Sequence, residues 1–131
     1  MIRQGILHVG LNRFLASCGH LDEIVLCDAG LPIPHEGQRI ELAVAAGLPG
    51  LLPLLDLLCQ AMVFEAACMA EESLTLSPGM HAGIQRRLEP IPIDHCPHEV
   101  FKQRSRQAKG IIRSGEFTPY SNVILVCGCA Y

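Results

Sequence analysis

A chain of 131 residues falls in the range of a single domain, and folding at this size buries roughly two-thirds of the surface that the unfolded chain exposes. Half of the residues are apolar and 18% are charged, a greasy balance for a small monomer that argues for a partner subunit covering part of the surface. The formal net charge of −3, with no block of Lys and Arg, excludes the basic footprint that phosphate-backbone binding requires, so nucleic acid is not an expected partner.

From the N-terminus, Leu11, Phe14, Leu15 and Cys18 recur at helical spacing, which predicts a short helix over 11–17 with Gly19 as a left-handed C-terminal cap. Glu23 to Cys27 reads as a buried strand that stops at Asp28-Ala29-Gly30. Leu31-Pro32-Ile33-Pro34 can neither extend a ladder nor enter a helix, because each proline lacks an N–H and holds its predecessor extended; it predicts a stiff loop beside that strand end. Arg39 to Val44 alternates as a second strand, Gly47-Leu48-Pro49-Gly50 punctuates it, and Leu51 to Cys59 resumes with helical spacing. The charge-free stretch from Ala43 to Leu55 is about 13 residues and broken by Gly and Pro, whereas a membrane span needs roughly 20, so no transmembrane segment is expected.

Met62 to Ala70 mixes helix formers with Val63-Phe64 and is read as a strand. Ser77-Pro78 opens a helix to Leu88 with proline at its first position, and Pro90 ends it. Ile91 to Asp94 predicts a short strand, Pro97 starts a helix running to about Ala108, and strands follow over Ile111 to Arg113 and Asn122 to Val126, joined by the turn-forming Ser114 to Pro119. Strands alternating with helices, with no repeats and no linker, predict one α/β domain over residues 1–131, its largely buried mixed sheet flanked by helices. Seven cysteines, an odd number scattered through apolar segments with no leader ahead of them, fit reduced thiols in the cytoplasm.

Four blocks, in order, resemble the D-ribose pyranases, relatives of the fucose mutarotases: Gly19-His20, Cys27-Asp28-Ala29-Gly30-Leu31-Pro32-Ile33-Pro34, His98-Glu99 with Phe101-Lys102, and Ile112 to Asn122. The resemblance spans nearly the whole chain, and the wording of the second and fourth blocks is similar to the ribose branch. It implies a ribose pyranase-like sandwich in a cytoplasmic homo-oligomer, commonly a ring-shaped decamer, that interconverts the pyranose and furanose forms of D-ribose without a cofactor or metal. It places the catalytic histidine at His20 and sugar binding at Asp28, His98, Tyr120 and Asn122. The departures are His8-Val9-Gly10, which leaves the first helix without its expected cap oxygen, Pro97 in place of a hydroxyl residue before His98, and the C-terminal Gly128-Cys129-Ala130-Tyr131.

The chemistry suits these residues. Opening a cyclic hemiacetal removes a proton from the anomeric hydroxyl and gives one to the ring oxygen, and an imidazole has both protonation states accessible near neutrality. Asp28 either orients that imidazole or holds a sugar hydroxyl, and the sequence leaves both open. Tyr120 and Asn122 supply hydroxyl-matching groups, His98 offers a second imidazole, and Lys102, four residues on and on the same helical face, is a further substrate-binding candidate that reinforces it. Because His20 and the Tyr120 block are far apart in the chain, a pocket completed by a neighbouring subunit is expected.

Other clusters have plainer readings. Asp94-His95-Cys96-Pro97-His98 packs several metal-ligand types together, but zinc needs a second ligand pair, and Cys127-Gly128-Cys129 lacks the usual spacing; an exposed loop and buried thiols are the expectation. Glu71-Glu72 reads as a solvated strand end, and Arg86-Arg87 as a wet helix face.

Overall fold

In the computed structural model, which describes residues 1–36 and 38–131, six strands and five α-helices follow one another along the chain. They are α1 (Val9–Ala16), β1 (Glu23–Cys27), β2 (Arg39–Glu41), α2 (Leu51–Ala61), β3 (Phe64–Ala70), α3 (Glu72–Leu76), α4 (Pro78–Leu88), β4 (Ile93–Cys96), α5 (His98–Ser105), β5 (Gly110–Arg113) and β6 (Val123–Cys127). The strands form one mixed sheet in the order β2-β5-β1-β6-β3-β4. Only β6 runs against its neighbours: it is antiparallel to β1 and β3, while β1 with β5, β2 with β5 and β3 with β4 are parallel. The expected single α/β domain with a buried mixed sheet is thus the fold observed.

Period-two alternation along the central strands produces two cores, one on each face. Ile24 and Leu26 of β1, Met69 of β3 and Leu125 of β6 pack under α1, α2 and α4 with Leu15, Leu55, Leu58 and Ile84. Val25 and Cys27 of β1, Cys68 and Ala70 of β3 and Ile124 of β6 face the other way, against Phe101 of α5. Strands covered on both faces carry almost no polar residues, which is why β1 and β6 read as continuous apolar runs.

Several local expectations are corrected. Gly19 is not a left-handed cap; the positive φ falls two residues later, on Leu21 at 67°. The first helix does have a side-chain cap, since Nδ1 of His8 accepts the Leu11 N–H at 3.0 Å, an imidazole nitrogen replacing the expected oxygen. The second strand stops at Glu41 rather than Val44, because its partner β5 ends at Arg113 opposite Glu41. The strand expected over 91–94 begins only after Pro92, and it takes in His95 and Cys96, expected in an exposed loop: β4 pairs Asp94, His95 and Cys96 with Cys68, Met69 and Ala70. The last predicted helix ends at Ser105, and the short α3 was not anticipated. Arg87 is not merely wet: its Nε donates to Asp56 at 2.7 Å and ties α4 to α2.

Candidate functional site

Five strands point the same way, so their carboxyl ends lie along one edge of the sheet, the usual place for a ligand in an open α/β fold. There Asp28 leaves β1, His98 opens α5 just past β4, and the segment 114–122 runs from β5 into β6. Together they line an open cavity of about 480 Å³ bounded by Asp28, His98, Glu116, Tyr120 and Asn122, with Leu31 and Phe117 among its apolar walls. That volume is in the range of roughly 300–1,000 Å³ typical of small-molecule sites.

Asp28 is the buried anchor. Its Oδ1 accepts the Gly30 N–H at 2.9 Å and its Oδ2 accepts the Asn122 amide at 3.0 Å, while Oδ1 of Asn122 accepts the Asp28 N–H at 2.9 Å. Burial pushes the Asp28 carboxyl above its ordinary pKa, against the pull of the hydrogen bonds from Gly30, Asn122 and the neighbouring backbone. The site therefore presents a desolvated carboxylate whose hydrogen bonds fix its orientation.

His98 stands edge-on to Tyr120, ring centroids 5.0 Å apart at 81°, and its buried Nδ1 has no partner among the described residues. Tyr120 sits at φ 58°, a left-handed turn that a non-glycine residue adopts only when its surroundings demand it. Pro97 gives the helix no side-chain cap, and the Glu72 carboxylate takes over by accepting the His98 N–H at 3.0 and 3.1 Å. Glu72 is thus not a free strand end but the group that seats His98. The missing hydroxyl before His98 was the signal that could have found it, because an uncapped helix start needs an acceptor from elsewhere.

Glu116 lines the cavity and was not singled out from sequence. One carboxylate oxygen accepts from Phe117 N, Thr118 N and Thr118 Oγ1, and the other from Leu51 N, bracing the loop against the start of α2. Burial alone would raise its pKa, but these bonds together outweigh it and hold the carboxyl below the usual value. Gly115 lets the loop come that close, since a Cβ there would collide with the carbonyl oxygens of Leu48 and Ala45.

Two expected site residues lie outside the cavity. Lys102 is not in its lining; its ammonium pairs with Glu99 one turn back. His20 precedes β1 whereas Asp28 follows it, so five strand residues, about 17 Å at 3.3 Å each, separate the two ends of that strand. Within one chain Asp28 cannot orient His20. The imidazole is instead exposed at the other sheet edge, with Nε2 3.0 Å from Oε2 of Glu65.

The Asp94-to-His98 cluster is dispersed by strand alternation. His95 meets His81 of α4, Nε2 to Nε2 at 2.9 Å, while Cys96 lies 3.5 Å from Cys68 in the core on the opposite face. Among the described residues no three His, Cys, Asp or Glu side chains gather in a metal-binding group. Nor, among them, is any helix long and apolar enough to cross a membrane.

A cavity with largely apolar walls, anchored by a buried carboxylate at the carboxyl ends of parallel strands, defines a small-ligand-binding α/β protein. Residues 1–130 match the model of the RbsD / FucU transport protein family, and the chain belongs to that family. It is 46% identical over 128 residues to the D-ribose pyranase of Geobacillus thermodenitrificans, covering 98% of this chain and 97% of the relative. It is 45% identical over 139 residues to the D-ribose pyranase of Aeromonas salmonicida, covering the whole of both. Among solved structures, Bacillus subtilis RbsD complexed with D-ribose superimposes with a TM-score of 0.94 at 36% identity over all of both chains. The fucose mutarotase of Streptococcus pneumoniae shares the fold, with a TM-score of 0.70 at 23% identity over 95% of each chain.

Proposed function

We propose that this protein is a D-ribose pyranase, an isomerase that interconverts the pyranose and furanose forms of D-ribose by acid–base ring opening and closing. The observation that carries the reading is the convergence of Asp28, His98, Tyr120 and Asn122 on one cavity, a buried carboxylate held in place beside a His98 Nδ1 that no described residue satisfies. A buried polar atom of that kind is matched by a hydroxyl-rich ligand at less cost than by an apolar one. The full-length likeness to D-ribose pyranases supports ribose over other sugars.

In the proposed reaction a base takes the proton of the anomeric hydroxyl. The C1–O5 bond breaks with its electron pair going to O5, which gains a proton, and the open-chain aldehyde results. Attack of the 4-hydroxyl on C1, with the two proton transfers reversed, gives the furanose. Asp28 and Asn122 hold hydroxyls, Tyr120 walls the cavity with its phenol, and His98 is placed to serve the ring oxygen. His20 is the catalytic base. Since it stands at the far end of β1 from its own cavity, a second copy supplies it, so the working form is a homo-oligomer, a decamer on the resemblance, with the pocket at a subunit interface. Phe117, 69% exposed on the cavity rim, is the kind of apolar surface such a neighbour covers. Lys102 lies outside the lining of the single-chain cavity and joins the site through that interface. Seven unpaired thiols support a reducing, cytoplasmic setting.

Saturation-transfer NMR on equilibrated D-ribose tests the reading: adding the protein is expected to speed exchange between pyranose and furanose signals, and exchange no faster than in buffer overturns it. The same measurement with L-fucose ranks the rival sugar.

A further inference from the structure

His20 and Glu65 meet at the sheet edge opposite the cavity, Nε2 to Oε2 at 3.0 Å, and both partners are held by backbone geometry. Glu65 is the extra residue of a β-bulge. Phe64 lies opposite Cys127 and Ala66 opposite Val126, which leaves Glu65 with no residue across from it. A bulge bends its strand and re-aims the unpaired side chain. This one sends the carboxylate over Gly128, where even a Cβ would come within 3.5 Å of Oε2.

The histidine is fixed by the turn that follows it. Leu21, at φ 67°, donates its N–H to Cys127 O at 2.8 Å, in the residue paired with Phe64 at the foot of the bulge. Gly19 N donates to Asp22 Oδ2 at 2.7 Å, and Lys109 Nζ reaches the same oxygen at 2.6 Å. An ordinary surface pair must order two long, free side chains and gains little from doing so. Here a turn and a bulge have done most of the ordering.

A carboxylate has only acceptors, so the ring nitrogen facing it must carry the hydrogen. We propose that Glu65 is the positioning residue of His20: it accepts Nε2–H, fixes the neutral ring in that tautomer, and leaves Nδ1 as the basic nitrogen that takes the anomeric proton. The proposal rests on the isomerase reading above and adds to it the reacting atom and the group that selects it. The proton that Nδ1 accepts in ring opening returns to the anomeric oxygen on closure, so neither Glu65 nor Nε2 changes its net protonation. For metal-bound histidines, the partner that orients the imidazole is typically worth about 10- to 100-fold in activity, and the expectation for His20 is taken from that scale.

The test uses the full-length protein with 15N-labelled histidine, and the variants Glu65→Leu and Glu65→Gln. Long-range 1H–15N spectra are expected to show His20 as the Nε2–H tautomer in the unaltered protein and in Glu65→Gln, whose amide oxygen still accepts, but a mixed ring in Glu65→Leu. The ribose exchange rate at saturation should fall roughly tenfold or more in Glu65→Leu at little-changed KM, and recover most of that loss in Glu65→Gln. An unchanged tautomer with an unchanged rate in Glu65→Leu overturns the assignment. If the unaltered protein shows no exchange, the isomerase reading falls, while the tautomer comparison still decides whether Glu65 orients His20.

Discussion

Asn122 and Asp28, 94 residues apart in the chain, exchange two hydrogen bonds: the amide donates to the carboxylate at 3.0 Å and its oxygen accepts the Asp28 backbone N–H at 2.9 Å. The exchange locks the end of β1 to the start of β6 and fixes the carboxylate that floors the cavity.

This reciprocity makes a testable demand. Asp28→Asn leaves one acceptor where two are needed, so a donor from Gly30 or Asn122 faces an N–H, at a cost of about 1–3 kcal/mol. Adding Asn122→Asp returns an acceptor to each donor: the new carboxylate accepts from both the backbone and the side-chain amide of residue 28, whose oxygen then serves Gly30. Urea unfolding should show the double variant more stable than Asp28→Asn alone. A double variant that is the sum of its two single losses would show that the pair is not coupled.

Gly115 allows a loop to enter a space that has no room for a side chain. In Gly115→Ala the methyl group must push against the Leu48 and Ala45 carbonyls, so the segment carrying Glu116 and Tyr120 is expected to shift. Overpacking of this kind costs about 1–3 kcal/mol. Denaturation is expected to show that loss with weaker ribose binding, and a variant matching the parent in both would refute the fit.

The contact of His81 with His95 gives the fold a pH dependence away from the cavity. Burial first, and then the charge of His95, hold His81 below its ordinary pKa. A histidine whose folded pKa is depressed contributes stability that is complete above its unfolded value, about 6.5, and is lost as pH falls through the folded value. Melting temperatures should therefore drop between pH 7.5 and 5.5 and drop less in His81→Asn. An equal slope in both would remove His81 as the cause.

How much of this was legible in the sequence depended on whether the signal was local. The β1 range is legible because a strand buried on both faces shows as an apolar run, Ile24 to Cys27, ended by Asp28-Ala29-Gly30. Asp28, His98, Tyr120 and Asn122 were named from block wording, and the fold brings all four to one cavity. Glu65 and Glu116 carry no local signal, and Glu72 reads only as a solvated strand end, because each acts across the chain. Glu72 receives an N–H 26 residues away, Glu116 one 65 residues away, and Glu65 owes its direction to a bulge that no pattern of alternation announces. The cap on α1 was misread for a different reason: an imidazole nitrogen accepts as an oxygen would, yet His is not among the preferred capping types.

The separation of His20 from Asp28 by the length of β1 yields the sharpest test of a shared pocket. His20→Ala and His98→Ala should each be inactive as pure proteins, the first lacking the base and the second a cavity group. If His20 serves a neighbour's cavity, co-refolding the two variants in equal amounts creates sites that take His98 from one parent and His20 from the other. Random pairing in a symmetric ring makes about one site in four intact, so roughly a quarter of the parental exchange rate should return. If each chain used its own His20, every site would carry a lesion and the mixture would stay inactive.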